Sequence, residues 1–472
     1  MSGENTPGLP DPLETLRAAT RGTEYEGRLY LVGGYVRDKL LGDAAASDDY
    51  DLVLEGDALR AARFLWKRGV TDHRPVEYGQ FGTTQIEIHG QKVELVTARA
   101  ETYRQGSRKP VVTPGTLQTD AERRDFTVNT FLENLHTGEI SDPTGKGGTD
   151  LAAKILRTPL DPSVTFAEDP LRMLRACRFA AKLGFTVAPE AYAAILENAR
   201  RCDAEHGISF ERMRDEFTKT LLTSDAPLGL EMMRVTGLLS QFAPELAGMH
   251  GVTQNRFHRY EVWEHTMVAL RHLPREASLL VRLATLFHDI GKPRTRTVDA
   301  ATGDVHFYGH EEVGAEMARE VMTRLRFSLD EIKAVTQMVG LHMRYGAYDP
   351  AAWTDASVRR LVRTVGEHRR DLFTIARADI AACGTGDFPT ADLDGLSERM
   401  ERLEAESQIT RATSPLDGGE IMLRLDLKPG PLLGKVKEML TDAVVGGELA
   451  PDDKSGAEQW ARAYLARIAD QS

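Results

Sequence analysis

Apolar positions divide the chain into a short region of β-type patterning and a long helical one. From Arg28 to Thr97 they fall in brief runs, RLYLVGG, YDLVLEG, TTQIEIHG and KVELVTA, separated by helical or Gly-containing segments. That spacing predicts a mixed unit of strands and helices. IEIHGQKVELV predicts a hairpin turning at His89-Gly90, with Glu94 on the returning strand. After Asp150 the strand pattern nearly vanishes. LAAKIL, PLRMLRACRFAAKL, EAYAAILENARR and FERMRDEFTKTLL instead repeat apolar residues at i, i+3 and i+4, as amphipathic helices do. Breaks are expected near Asp161-Pro162, from Gln254 to His258 and from Arg411 to Gly419. The fold class expected is α+β, a sheet-containing head followed by all-helical segments.

Composition changes this picture little. A chain of 472 residues suggests several compact units. Fifty-nine Lys and Arg against 71 Asp and Glu give a net charge of −12, which disfavours coating of nucleic acid by bulk charge but not a local basic groove. The start, MSGENTPGLPDPLETL, lacks the pattern of a secretory leader, and the most apolar run, ASLLVRLATLF, is interrupted by Arg282. A cytoplasmic protein without a membrane partner is expected. Cys177, Cys202 and Cys383 form no CxxC, so neither a disulfide framework nor a thiolate zinc site is indicated.

Three groups of residues carry candidate chemistry. In LVGGYVRDKLLG a strand runs through Gly33 and Gly34 into a helix bearing Arg37, an arrangement suited to a phosphate. Asp49 and Asp51 precede LVLEG and share one strand face, where paired carboxylates suit Mg²⁺, with Glu94 as the natural third acid. From Arg99 to Arg124 six cations face three acids in a Gly- and Pro-containing stretch read as a mobile loop, which leads into RRDFTVN. There Arg123, Arg124, Asp125 and Asn129 offer hydrogen bonds to a nucleotide ribose. Next, EDPLRMLRACRFAAKLGF sets Arg172, Arg175, Arg178 and Lys182 on one helical arc as a cationic stripe, where RNA and nucleotide are expected, with Arg172, Arg175 and Arg178 as nucleotide-binding residues. Finally, His265, His288, Asp289, His310, His342 and Asp379 form an ordered histidine–aspartate series suited to Mg²⁺ or a divalent transition metal.

GGYVRDKLLG, DYD, RRDFTVN, DPTGKGGTDLAAKILRT and EDPLRMLRACRFAAKLGF, in that order, resemble the bacterial and eukaryotic class (class II) of tRNA nucleotidyltransferases, the CCA-adding enzymes. Bacterial poly(A) polymerases share these motifs. The resemblance spans about residues 28 to 250. It implies a nucleotidyltransferase head of the DNA polymerase beta type, with Asp49, Asp51 and Glu94 catalytic, Mg²⁺ held by Asp49 and Asp51, and tRNA, CTP and ATP as partners. Asp169 and Arg172 would read the edge of the incoming base, with Glu168 orienting the Arg, while Glu211, Arg212 and Glu216 brace that helix. Two departures stand out: one extra residue in the Asp142 segment, and Phe131 where a smaller residue is usual. The His/Asp series resembles an HD phosphohydrolase domain, in which His265, His288, Asp289 and Asp379 would hold a first metal and His310 and His342 a second metal or a phosphate, neutralised by Lys292 and Arg294.

These implications place an N-terminal extension at 1–24, the head at 25–160, a helical neck and body at 161–250, the HD domain at 251–405 and a helical tail at 406–472, in a monomer or homodimer. The expected activity is addition of CCA, or part of it, to tRNA 3′ ends without a nucleic-acid template, with phosphohydrolysis at the HD domain. Alternatives are an A-adding enzyme, less favourably a CC-adding one because the basic stretch from Arg99 is present, a poly(A) polymerase, or an RNA end-repair phosphohydrolase with an inactive head.

Overall fold

A computed structural model describes residues 11–42, 50–78, 82–102, 111–203, 208–346, 348–384, 392–406 and 413–469. The chain divides into two compact units, at Phe242/Ala243.

The first unit opens with helix α1 (Pro12–Thr20), capped by Asp11. Next come β1 (Leu29–Val32), α2 (Gly34–Leu40), β2 (Tyr50–Leu54), α3 (Ala58–Lys67), β3 (Val76–Tyr78), β4 (Thr83–Ile88) and β5 (Gln91–Thr97). A separate antiparallel ribbon pairs β6 (Arg99–Thr102) with β7 (Val111–Pro114), and α4 (Leu117–Glu122) leads on to β8 (Leu132–Asn134) and β9 (Ile140–Ser141). The main sheet is ordered β3-β4-β5-β2-β1-β8-β9, and its one parallel pairing joins β2 to β5. His89 and Gly90 both have positive φ, the geometry of a tight hairpin turn whose twist suits the flanking strands. Along β4 every second residue is buried, the alternation that makes this strand legible in sequence.

Three strands differ from expectation. β8 lies inside RRDFTVNTFLEN, is three residues long and is buried throughout, so it has no polar–apolar alternation to betray it. The ribbon β6–β7 occupies part of the stretch read as a loop; its centre, with Arg104, Arg108 and Lys109, lies outside the described residues. β10 (Ile155–Leu156) pairs in parallel with β11 (Thr186–Val187), each only two residues long.

The two sequence departures meet in space. Helix α5 (Gly147–Ala153) begins in the lengthened Asp142 segment, and a Cβ on Gly147 would lie 3.0 Å from Phe131 Cζ and 2.9 Å from the Thr127 carbonyl oxygen. Phe131 thus fills space that the glycine leaves. Helices α6 (Pro162–Glu168), α7 (Leu171–Leu183), α8 (Pro189–Asn198), α9 (Phe210–Leu221) and α10 (Ala226–Val235) complete the unit. The break at Asp161-Pro162 is the capped start of α6, and α7 ends at Gly184 in the left-handed conformation.

The second unit contains α11 (Pro244–Ala247), α12 (Val262–His272), α13 (Leu279–Phe287), α14 (Lys292–Thr295), α15 (His310–Arg324), α16 (Leu329–Leu341), α17 (Asp355–Val365), α18 (Arg369–Cys383) and α19 (Leu393–Glu406). Glu245 of α11 accepts a 2.9 Å hydrogen bond from Arg324 of α15, which joins α11 to this unit. A small hairpin, β12 (Thr297–Val298) with β13 (Val305–His306), precedes α15. The last helices, α20 (Gly418–Leu425), α21 (Pro431–Gly446) and α22 (Lys454–Ala469), pack around Ile421, Val436, Leu440 and Ala461. No helix among the described residues is long and apolar enough to cross a membrane.

Candidate functional site

In the first unit, the parallel register sets Asp51 of β2 directly beside Glu94 of β5. Neighbours in register share a sheet face, and both residues are exposed. Two carboxylates side by side on one face could hold a divalent cation. Asp49 lies outside the described residues. Gly33 has φ 78°, and a Cβ there would stand 3.6 Å from Asp51 Oδ2 and 4.0 Å from Arg124 Nη1. A side chain would be strained and would fill the gap between acid and guanidinium. Asp120, which is buried, accepts hydrogen bonds from Arg123 Nε at 3.0 Å and Arg124 Nη2 at 3.0 Å, and so fixes both arginines.

Arg37 departs from expectation. Rather than projecting toward a triphosphate it is 1% exposed, with Nε donating to Asp38 Oδ1 at 2.7 Å and Nη1 to Asn129 Oδ1 at 2.6 Å. Asn129 Nδ2 in turn donates to Asp125 Oδ1 at 3.0 Å, and Asp125 Oδ2 accepts from Arg175 Nε at 2.8 Å. This buried chain ties α2, the RRDFTVN turn and α7 together. Burial alone would raise the Asp125 pKa, but Arg175 and the hydrogen bonds from Asn129 and Phe126 outweigh it and lower the value to about 2.

The arginines of α7, expected to meet nucleotide and RNA, are engaged by acids of the protein itself. Arg175 pairs with Asp125, Arg178 Nε donates to Glu216 Oε2 at 2.6 Å, and Lys182 lies 3.7 Å from Asp38. Arg172 is buried and donates to Glu168 Oε2 at 3.2 Å and to the Thr165 carbonyl at 3.0 Å. Glu168 therefore touches the Arg it was expected to orient. Asp169 Oδ2 accepts from Arg212 at 2.8 Å, so Arg212 bears directly on the candidate base-reading residue.

Arg175→Met leaves the Asp125 carboxylate buried without its cation and lowers unfolding free energy at pH 7 by about 2 kcal/mol. Because the Asp125 pKa is depressed, its stabilisation is full above the unfolded value near ~4 and is lost as pH falls through about 2. The gap between wild type and variant in urea denaturation accordingly narrows between pH 7 and pH 3.

In the second unit, the six residues of the His/Asp series converge from α12, the end of α13, α15, the end of α16 and α18. Asp289 is the hub, with His288 Nε2 at 3.2 Å, His310 Nε2 at 3.5 Å, His265 Nε2 at 3.8 Å and His342 Nε2 at 3.9 Å from its carboxylate oxygens. His265 Nε2 is 2.8 Å from Asp379 Oδ1. The Nδ1–H groups of His288, His310 and His342 donate to the carbonyls of Thr285, Phe307 and Val339 at 2.7, 2.8 and 2.7 Å. Those bonds fix each ring with Nε2 directed inward, as metal-ligating histidines require. Among the described residues His288 Nε2 and Asp289 Oδ2 are buried without a hydrogen-bond partner, the signature of a place built for a cation. Lys292 Nζ approaches Asp289 Oδ2 at 2.7 Å without hydrogen-bond alignment and donates to Gln254 Oε1 at 2.6 Å. A Cβ on Gly291 would meet the His310 carbonyl oxygen at 2.1 Å, so the HDIGK turn abuts α15 only because it is glycine.

Electrostatics keeps Asp289 and His342 in ligand form, whereas His288 gives up a proton on binding a cation. Burial would raise the Asp289 pKa, but His288 and Lys292 hold it well below the carboxylate range. Burial lowers the His342 pKa to about 3, helped by the neighbouring His288, so its ring is neutral. For His288, burial lowers the pKa but Asp289 and Asp379 prevail and raise it to about 10. One site residue has no counterpart in the sequence reading. His258 and Cys383 place ligand atoms within 4.8 Å of each other and of His265, and the His258 pKa falls to about 4 through burial and the charges of Lys292 and His265. His258 sits in a loop before α12, where no periodicity marks it; its one sequence signal is a position within NRFH, held by Asn255 Oδ1 at 2.8 Å from Nδ1.

A mixed sheet with register-paired acids, together with a helical His/Asp cluster, defines a nucleotidyltransferase carrying an HD domain. Residues 29–157 match the Poly A polymerase head domain, 184–249 the probable RNA and SrmB-binding site of polymerase A, and 256–406 the HD domain. The chain is 35% identical over 454 residues to the A-adding tRNA nucleotidyltransferase of Deinococcus radiodurans, covering 94% of this chain and 96% of that one. It is 32% identical over 447 residues to the CC-adding tRNA nucleotidyltransferase of Thermus thermophilus, covering 92% of each. This chain belongs to the tRNA nucleotidyltransferase family. Its fold resembles that of the Bacillus stearothermophilus CCA-adding enzyme in complex with CTP, with a TM-score of 0.65, 22% identity and coverage of 98% of this chain and 100% of that chain.

Proposed function

We propose that the chain adds AMP from ATP to the 3′ end of tRNA already ending in CC. The 3′-hydroxyl oxygen attacks the α-phosphorus, its proton passes to solvent, and the bond to the bridging oxygen breaks to release pyrophosphate. Mg²⁺ held by Asp51, Glu94 and Asp49 would acidify that hydroxyl and neutralise charge on the leaving group. Arg124, which Asp120 fixes beside Gly33, would take phosphate charge. Arg123, Asp125 and Asn129 serve the ribose, and Asp169 and Arg172 the base, with Arg37, Arg175 and Arg178 holding them in position. In this reading residues 25–160 and 161–250 are the head and base-reading segments, 251–405 the HD domain and 406–472 the tail.

The observation that carries the choice of AMP is the end-to-end match to the A-adding relative, in a chain that has the β6–β7 ribbon between Arg99 and Pro114. The resemblance ties that segment to use of ATP. The test is a single-turnover assay on tRNA ending in CC, in which labelled ATP is incorporated once and CTP is not; CTP incorporation into tRNA lacking all of CCA overturns the AMP assignment. For the HD domain, a cluster that presents inward-facing Nε2 atoms around a buried carboxylate supports metal-assisted phosphoester hydrolysis, with 2′,3′-cyclic phosphate or 2′-phosphate ends of RNA as substrates.

A further inference from the structure

The loop entering α15 carries an aromatic pair that neither the metal cluster nor the fold explains. His306, in β13, and Tyr308 are stacked nearly parallel, with ring centroids 5.2 Å apart and an interplanar angle of 11°. Tyr308 is 77% exposed, the largest exposure of any aromatic side chain among the described residues. Burial does not hold it, so this ring contributes little to folding.

Its position is nonetheless fixed relative to the metal cluster. The preceding residue, Phe307, accepts the Nδ1–H of His310 through its carbonyl at 2.8 Å, and its ring lies 5.4 Å from Lys292 Nζ. The following residue, Gly309, turns the chain at φ 70° into α15, whose first residue is His310. Tyr308 thus stands two residues from a cluster histidine, within about 7 Å of it along the backbone. Lys292 belongs to the adjoining α14, which makes the segment from Phe307 to His310 part of the wall of the cluster.

A stacked, exposed aromatic pair beside a phosphoester-hydrolysing centre has the chemistry of a platform for a nucleobase, since a base presents a π-face of matching size and stacking is tolerant of base identity. We infer that Tyr308, backed by His306, stacks the base of the nucleotide whose phosphate enters the HD cluster, so that this residue makes affinity for the proposed RNA ends depend on the presence of a base. The inference rests on the phosphohydrolase reading for its kinetics but not for its binding.

Guanosine is the probe of choice, because the nucleotides expected at the head are CTP and ATP, so a guanine base competes least there. With the full chain loaded with Mn²⁺, Tyr308→Ala raises KM for guanosine 2′,3′-cyclic phosphate about tenfold with kcat little changed, and Tyr308→Phe restores it. Hydrolysis of glycerol 1,2-cyclic phosphate, which has no base, is unaffected. Equal loss on both substrates, or no change on either, overturns the inference. If the wild-type chain hydrolyses neither, the phosphohydrolase reading fails and binding alone decides. Fluorescence of the Tyr308→Trp variant, corrected for the wild-type signal, is then quenched by guanosine 2′-phosphate and not by glycerol 2-phosphate; absence of that quenching overturns the inference.

Discussion

Asp51→Ala lowers nucleotide incorporation by at least about a thousandfold, corresponding to roughly 4 kcal/mol of lost transition-state stabilisation, while tRNA affinity changes less than about twofold. The size follows from placement. Asp51 is exposed, so its removal leaves no cavity in the core, and it stands in register beside another acid. What is lost, in the proposed mechanism, is one of the carboxylates that would hold Mg²⁺. Incorporation rates under saturating ATP, together with filter binding of tRNA and thermal melting, separate these effects. Wild-type turnover in the variant would remove the metal assignment, and a lowered melting temperature would assign Asp51 a structural part instead.

The second large effect is expected in the other unit. Asp289→Asn keeps the shape of the hub but removes its charge, and divalent-metal affinity of the HD cluster falls by at least about a hundredfold. Asp289 is buried and approached by four imidazoles and Lys292, and an amide can neither balance the Lys292 charge nor offer a cation the charge of a carboxylate. The readout is metal content after dialysis, measured in an Asp51→Ala background so that the head does not contribute. ATP incorporation by the single Asp289→Asn variant stays within about twofold of wild type, since the hub lies in a separate compact unit. Undiminished metal content would place the metal elsewhere.

The sequence shows unequal parts of this architecture. β4 and β5 alternate, and Asp51 and Glu94 could be paired before the register was known because strands of that pattern leave one face polar. The histidine–aspartate series was readable as a set, though not Asp289 as its hub; that depends on how helices separated by tens of residues converge. β8 was hidden by complete burial, and His258 by its place in a loop. The α7 arginines show where periodicity misleads. A 3.6-residue period identifies a common face but says nothing of what covers it, and here Asp125, Glu216 and Asp38 do. Arg37 is the same case, a cation whose sequence context points to phosphate and whose side chain is spent on Asp38 and Asn129.

Those pairings also recast the charge balance. Each such pair adds zero to the net charge of −12, so that total carries little information about how cations are distributed over the surface.

The most direct test of the account is the set of 3′ ends produced when tRNAs lacking none, one, two or all of the terminal CCA residues are each incubated with CTP, with ATP and with both, and then sequenced. The account predicts extension by a single A, only of tRNA ending in CC and only when ATP is present. Addition of C to any of these tRNAs, or growth of a longer run of A, would contradict it.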